Sequence, residues 1–85
     1  MSRNQLAILT AIQQEGFYIQ FEGENFVTIN AKINNQFVTC GRYDVNRDMF
    51  VQNKNQHKSK VANCIQKNRV IALIKNISPR TIILN

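Results

Sequence analysis

The chain of 85 residues has no tryptophan, one proline, three glycines and one histidine. Its longest apolar run, Val70–Ile74, has five residues, against the roughly 20 that a membrane-spanning helix needs. The glycines are too few and too scattered for the usual phosphate-binding loop. The first residues are polar and lead into a helical pattern, which is not typical of a secretion signal. We therefore expect a cytoplasmic protein that does not enter a membrane.

Metal-binding and catalytic side chains are also scarce. Cys40 and Cys64 are 24 positions apart, with no CxxC pair, and His57 is the single histidine. Zinc sites take about four ligands, so no metal and no cofactor are predicted. The thiols could form one disulfide, but nothing else suggests export, and we expect both to be reduced and buried. A ribonuclease could pair His57 with a nearby lysine, yet one loop histidine alone does not predict an enzyme.

A length of 85 residues predicts one domain, residues 1–85. The hydrophobic fraction of 44% is ordinary for a globular protein. A chain this short buries only about 60–65% of its unfolded surface, so its core is thin. A stabilising partner or self-association would enlarge that core.

The first half of the sequence predicts a helix followed by an antiparallel meander. Ser2 and Gln5 have capping-box spacing, and Gly16 is placed to end the helix. The helical spacing predicts an apolar face made by Leu6, Leu9 and Ile12, widened by Ile8. Period-two alternation then predicts strands over residues 17–22, 26–33 and 36–43, with a two-residue turn at Asn34-Asn35 and a short fourth strand over 49–52. We expect the helix to pack on the apolar face of this sheet.

The second half begins with a polar loop, residues 53–60, which contains no apolar side chain. Ser59 can cap a short second helix over residues 60–68, with Val61, Cys64 and Ile65 facing inward. The β-branched run 70–74 favours a buried strand, although it could instead extend the helix. A final strand over 80–84 would complete a C-terminal strand pair. The predicted fold class is thus α+β.

The charge is distributed unevenly. Residues 1–31 carry a net charge of −2 and residues 32–48 carry +1, whereas residues 49–85 hold seven cations and no acid. A block of one sign attracts polyanions. A basic face kept for solubility is the alternative, although mixed signs serve solubility better.

This pattern predicts a nucleic-acid interface, with RNA favoured over DNA. Backbone N–H groups and lysines at the start of a helix suit phosphates, and no helix-turn-helix pattern suggests DNA. Tyrosines on strands could stack a base, although they could equally cover a sheet face. The candidate nucleic-acid-binding residues are Lys54, His57, Lys58, Lys60, Lys67, Arg69, Lys75, Arg80, Arg42, Arg47 and Tyr43.

Two resemblances bear on function. The order of helix, three strands, basic loop and helix, with Lys58-Ser59-Lys60-Val61-Ala62 at the second helix, resembles a double-stranded RNA-binding domain. That resemblance implies that the lysines contact phosphates, although the Gly-rich approach to the helix is missing here. The small, Asn-, Lys- and Ile-rich chain also resembles accessory proteins of lytic phages, including antitoxin-like RNA-binding inhibitors of ribonuclease toxins. This implies a host-cytoplasmic protein and a ribonuclease toxin or other host-defence protein as partner.

Two further expectations concern protein partners. Instead of RNA, the basic face could dock directly on an acidic surface of a protein that the chain inhibits. The apolar C-terminal strand, expected near a sheet edge, also predicts a homodimer, because unprotected edges pair with other chains.

Overall fold

The computed structural model describes residues 1–54 and 60–84, except for the side chains of residues 60 and 61. Two helices and five strands follow one another along the chain. Their bounds are α1 Arg3–Gln14, β1 Tyr18–Glu22, β2 Phe26–Ile33, β3 Gln36–Asp44, β4 Met49–Gln52, α2 Lys60–Ile77 and β5 Ile82–Leu84. This confirms the predicted α+β class, with the N-terminal helix preceding the meander.

The strands form one sheet in the order β1-β2-β3-β4-β5. The first four are antiparallel neighbours, and β5 pairs with β4 in parallel. The predicted two-residue turn is confirmed, since Ile33 pairs with Gln36 while Asn34 and Asn35 take φ values of 52° and 64°. Asparagine tolerates this left-handed conformation, which a two-residue hairpin requires.

Helix α1 begins at the predicted capping box. The Ser2 hydroxyl accepts a hydrogen bond from the Gln5 backbone N–H, and the Ser2 N–H donates to the Gln5 side chain. Ile8, Leu9 and Ile12 are buried as predicted. Leu6 is 60% exposed, so its assignment to the inner face was wrong. The inner stripe instead includes Gln5, whose side-chain amide donates to the Val45 carbonyl at 2.5 Å.

Helix α2 is longer than the sequence predicts. It continues through residues 70–74 to Ile77, so the predicted strand there is wrong and no C-terminal strand pair forms. Val70 and Ile74 are fully buried one helical turn apart. Packing of this stripe on the core outweighs the β propensity of branched residues.

The inner face of α2 also differs from the prediction. Cys64 and Ile65 are exposed, so their predicted inward positions are wrong. Asn63 takes the inner position instead, at 1% exposure, and neither polar atom of its amide has a hydrogen-bond partner. Because α2 is one continuous helix, the burial of Val70 and Ile74 in its second half determines which side of its first half faces the core. A buried amide without partners is a local cost of that arrangement.

Both helices pack on one face of the sheet. Buried residues of α1 and α2 join Val27, Ile29, Tyr43 and Phe50 in a single core. Side chains on the other side of the strands have no helix over them, and we call this side the open face. Its side chains are Tyr18, Gln20, Glu22, Phe26, Thr28, Asn30, Lys32, Phe37, Thr39, Arg42, Asp44, Met49, Val51, Ile82 and Leu84.

The last strand, β5, lies at the edge of the sheet, where the C-terminal strand was expected. It has three residues, and short edge strands are one way in which proteins limit edge pairing. The homodimer stays a prediction. No helix in the described part of the chain is both long and apolar enough to cross a membrane.

Candidate nucleic-acid interface

The predicted cations on α2 lie on different sides of the helix. The Lys67 ammonium donates to the Asn53 carbonyl at 3.1 Å, near the end of β4. Arg69 points to the α1 side, where it lies 3.6 Å from a Glu15 carboxylate oxygen and stacks over the Phe17 ring. Lys67 and Arg69 are two residues apart, which corresponds to a rotation of about 200° around a helix of 3.6 residues per turn. The structure therefore brings Lys67 close to Asn53 but separates it from Arg69.

Three other predicted cations, Lys54, Lys75 and Arg80, are exposed. They lie after β4, in the last turn of α2 and in the turn before β5. Within residues 1–54 and 60–84, none of the three forms an ion pair. Their charges are therefore not neutralised by a neighbouring described carboxylate. His57, Lys58 and the side chain of Lys60 lie outside the described residues.

Tyr43 does not belong to an interface. Its side chain is fully buried and its hydroxyl donates to Asp48 at 2.6 Å. Burial, and then the bond to Asp48, raises the pKa of this phenol well above its ordinary value of 10.0. A ring in the core cannot stack on a base, so the prediction of a nucleic-acid contact at Tyr43 is wrong. The strand alternation that identified the tyrosine did not show which face it occupied.

Arg42 and Arg47 lie beside a groove of about 440 Å³ on the open face. Arg42 is 2.9 Å from Glu22 and 5.4 Å from the centroid of the Phe26 ring. Arg47 is 3.9 Å from Asp44, whose other carboxylate oxygen accepts two backbone N–H groups of the loop. The Arg42–Glu22 pair is exposed on both sides, and the Arg47–Asp44 pair is long with an exposed guanidinium, so neither contributes much free energy. Both guanidinium groups are therefore available to exchange partners.

Sequence reasoning missed most of the open face. Tyr18, Phe26 and Phe37 are 47%, 38% and 62% exposed there, and Lys32 lies beside Phe37. Period-two alternation could have identified this face, because it places Phe26 and Lys32 at outward positions of β2. A contiguous patch of exposed aromatic side chains marks an interaction site when no other element covers it. Here no described helix or loop covers it.

Polar atoms on the open face are left without partners. Thr28 is 8% exposed and its hydroxyl oxygen has no hydrogen bond, although the residue lines the 440 Å³ groove. The Asn30 side-chain oxygen is likewise buried and unpaired, and Asn30 lines a second, more open depression of about 410 Å³ with Tyr18 and Phe37. Buried polar groups are normally paired, and these two atoms have no partner among the described residues, so each can still bond a ligand or a water molecule.

The thiols follow the prediction in part. Cys40 and Cys64 are both free, but only Cys40 is buried, so the prediction that both are buried is wrong for Cys64. Burial raises the pKa of the Cys40 thiol to about 11, despite the opposing effect of the nearby Lys67 charge. Among the described residues, no three His, Cys, Asp or Glu side chains come together as metal ligands would.

Comparison of the chain with protein-family models, curated proteins and solved structures found no match. The resemblances to double-stranded RNA-binding domains and to phage inhibitors of ribonuclease toxins therefore stay predictions.

Proposed function

We propose that this protein binds RNA, mainly through electrostatic contacts to the phosphate backbone. The observation that carries the proposal is the unneutralised charge of the C-terminal half. Of its cations with described side chains, only Arg69 has a carboxylate beside it. The side chains of Lys54, Lys75 and Arg80 are exposed at three different places in the fold. The whole chain has a net charge of +6. When such cations contact the phosphates of a nucleic acid, they release its bound counterions, and this release makes binding favourable.

The test is a titration of labelled single-stranded RNA, duplex RNA and duplex DNA at two salt concentrations. If about six cations contact phosphates, the logarithm of the association constant falls against log salt with a slope of roughly −4 on a single strand. The two RNAs should bind more tightly than duplex DNA. Failure of all three ligands to bind at low salt would reject the proposal.

Charge-reversal variants locate the contact. Lys54→Glu should weaken RNA binding clearly, whereas Arg3→Glu, at the start of α1, makes the same change of net charge outside the C-terminal half. Lys58→Glu combined with Lys60→Glu tests the densest part of the basic segment in the same way. If Lys54→Glu and Arg3→Glu lose RNA affinity equally, RNA binding depends on the net charge of the protein and not on the position of the cations.

A second candidate is a protein that inhibits its partner by docking on it directly instead of through RNA. The supporting observation is the apolar end of the open face, where Val51, Ile82 and Leu84 are 38%, 52% and 43% exposed. Purification from cells with and without nuclease treatment separates the two candidates. A protein partner that remains bound after complete nuclease digestion favours direct docking, and one that is lost favours RNA binding.

A further inference from the structure

The open face combines three features that suit unpaired bases. The first is a set of exposed aromatic rings. Tyr18 on β1 and Phe37 on β3 meet edge to face, with ring centroids 5.0 Å apart and planes at 88°. Phe26 lies at the far end of β2. Every base has a π face, so exposed rings bind bases with little dependence on sequence.

The second feature is a cation beside each aromatic site. The Lys32 ammonium is 5.9 Å from the centroid of Phe37, and the Arg42 guanidinium carbon is 5.4 Å from that of Phe26. Each cation lies over its ring, so a base that stacks there uses the other face of the ring or displaces the cation, and in both cases its phosphate stays near that cation. Charge complementarity thus accompanies the apolar surface at the Phe37 site, whereas at the Phe26 site Arg42 must exchange its Glu22 partner for a phosphate.

The third feature is the pair of unpartnered polar atoms. Thr28 Oγ1 and Asn30 Oδ1 are buried between the two aromatic sites, on the strand that carries both Phe26 and Lys32. A hydroxyl can donate or accept, and an amide oxygen accepts, so these groups can pair with base edges or with a ribose 2′-hydroxyl. An entirely apolar partner would leave both atoms unsatisfied.

The distance between the sites fits a short oligonucleotide. From Phe26 to Lys32 the strand advances six residues, which is about 20 Å at ~3.3 Å per residue. That length accommodates up to about six stacked nucleotides at ~3.4 Å each. Bases in an A-form duplex are already stacked and paired, so they cannot reach these rings.

We propose that the open face binds single-stranded RNA, with bases stacked on Phe37, Tyr18 and Phe26. Lys32 and Arg42 contact the phosphates, and Thr28 and Asn30 supply hydrogen bonds within the site. This inference rests on the proposed RNA-binding function and names its ligand class: RNA with unpaired bases. The cations of the C-terminal half add attraction to single strands and duplexes alike.

The test compares Phe37→Ala with Leu6→Ala, using a labelled single-stranded RNA of about ten nucleotides and its duplex. Phe37 and Leu6 are similarly exposed, at 62% and 60%, but Leu6 lies on α1. Phe37→Ala should reduce single-strand affinity about tenfold without changing the salt slope, because stacking releases no counterions. Leu6→Ala should change neither quantity, and duplex affinity should be the same for both variants and the wild type.

Three more variants test the remaining parts of the site. Phe37→Leu keeps an apolar side chain but removes the π face. Its single-strand affinity should therefore fall almost as much as that of Phe37→Ala. Lys32→Ala should make the salt slope shallower by about 0.7. Glu22→Gln, which removes the carboxylate beside Arg42, should increase single-strand affinity about twofold to threefold at low salt and not at high salt.

The outcomes separate the two proposals. If the wild type binds RNA with a steep salt slope but Phe37→Ala binds the single strand as the wild type does, RNA binding stands and the open-face inference is overturned. Tighter binding of the duplex than of the single strand overturns it as well. If the wild type binds no RNA, both proposals fail. Circular dichroism of each variant verifies that it is folded, and a further variant, Phe26→Leu, tests the second aromatic site independently of Phe37.

Discussion

The hydroxyl of Tyr43 donates a 2.6 Å hydrogen bond to Oδ1 of Asp48. The same oxygen accepts a 2.8 Å bond from the Thr81 hydroxyl, and the Asp48 carbonyl accepts the backbone N–H of Ile82. One residue of the β3–β4 turn therefore connects the core of the sheet to the segment that leads into β5. The carboxylate therefore supports the attachment of the C-terminal strand, which also pairs directly with β4.

Removing the Asp48 side chain should destabilise the protein. Asp48→Ala loses two charge-assisted hydrogen bonds and leaves the proton of the buried Tyr43 hydroxyl without the Asp48 acceptor, so we expect a loss of about 2–4 kcal/mol in unfolding free energy. Asp48→Asn retains an acceptor and tolerates the positive φ of 51° at this position, so its loss should be smaller. Urea denaturation measures both. Equal stability of Asp48→Ala and wild type would contradict the role assigned to Asp48.

Stability should fall at alkaline pH. Cys40 titrates near 9.0 in the unfolded chain, but its pKa is raised to about 11 by burial, and the pKa of Tyr43 is also raised. As the pH rises, the unfolded state therefore loses these protons at a lower pH than the folded state does. The contribution of the two groups to the unfolding free energy is complete below about pH 9 and declines above it. For Cys40 the decline is at most about 1.4 kcal/mol per pH unit between pH 9 and 11.

Cysteine variants test this pH dependence by denaturation at several pH values. Cys40→Ala should be less stable at neutral pH but should lose less stability between pH 9 and 11 than the wild type. Cys64→Ala, at an exposed position, should follow the wild-type curve. A Cys40→Ala curve parallel to that of the wild type would exclude Cys40 as a source of the effect.

The two thiols should differ in reactivity. Cys40 is 2% exposed and Cys64 is exposed on α2. A thiol reagent that gives a coloured product should modify one cysteine rapidly in the native protein and two after denaturation, because attack requires access. Cys64→Ala should remove the rapid phase. Two rapid thiols in native wild type would show that Cys40 is accessible.

Gly41 should not tolerate a side chain. A methyl group there would overlap the Phe50 ring and lie 2.5 Å from the Val51 carbonyl oxygen, on the neighbouring strand. We expect Gly41→Ala to cost about 1–3 kcal/mol through overpacking. In a domain of this size that lowers the melting temperature by roughly 4–8 °C per kcal/mol. Asn68→Ala, at an exposed position of α2, is the control and should not lower the melting temperature, because alanine favours a helix more than asparagine does.

Asn63 offers the opposite prediction. Its amide is buried without hydrogen bonds to the described residues, so replacement by leucine, which has the same number of side-chain heavy atoms and no polar group, should raise the unfolding free energy by about 1–2 kcal/mol if the core accommodates its larger volume. Asn68→Leu makes the same change at an exposed position and should give no such gain. Thermal denaturation of both variants measures the difference. A destabilised Asn63→Leu would show that the amide has a role that leucine cannot replace.

Local signals were sufficient for much of the fold. The capping box at Ser2, the positive-φ asparagines of the hairpin and the alternation in β2 each involve neighbouring residues only, and the structure confirms all three. The run 70–74 was different, because β-branched residues suit a strand and a buried helix alike. Packing against the distant core selected the helix, and a local pattern cannot contain that information.

The sequence by itself determined the fold class, the order of the elements up to β4 and the excess positive charge of the C-terminal half. Those properties follow from composition and short-range spacing. Only the tertiary structure decided that Tyr43 is buried while Phe37 is exposed, and that Lys67 and Arg69 lie apart. It also placed the candidate ligand site on strands of the N-terminal half. The reason is physical: which face of a strand or helix is covered depends on elements that are distant in sequence.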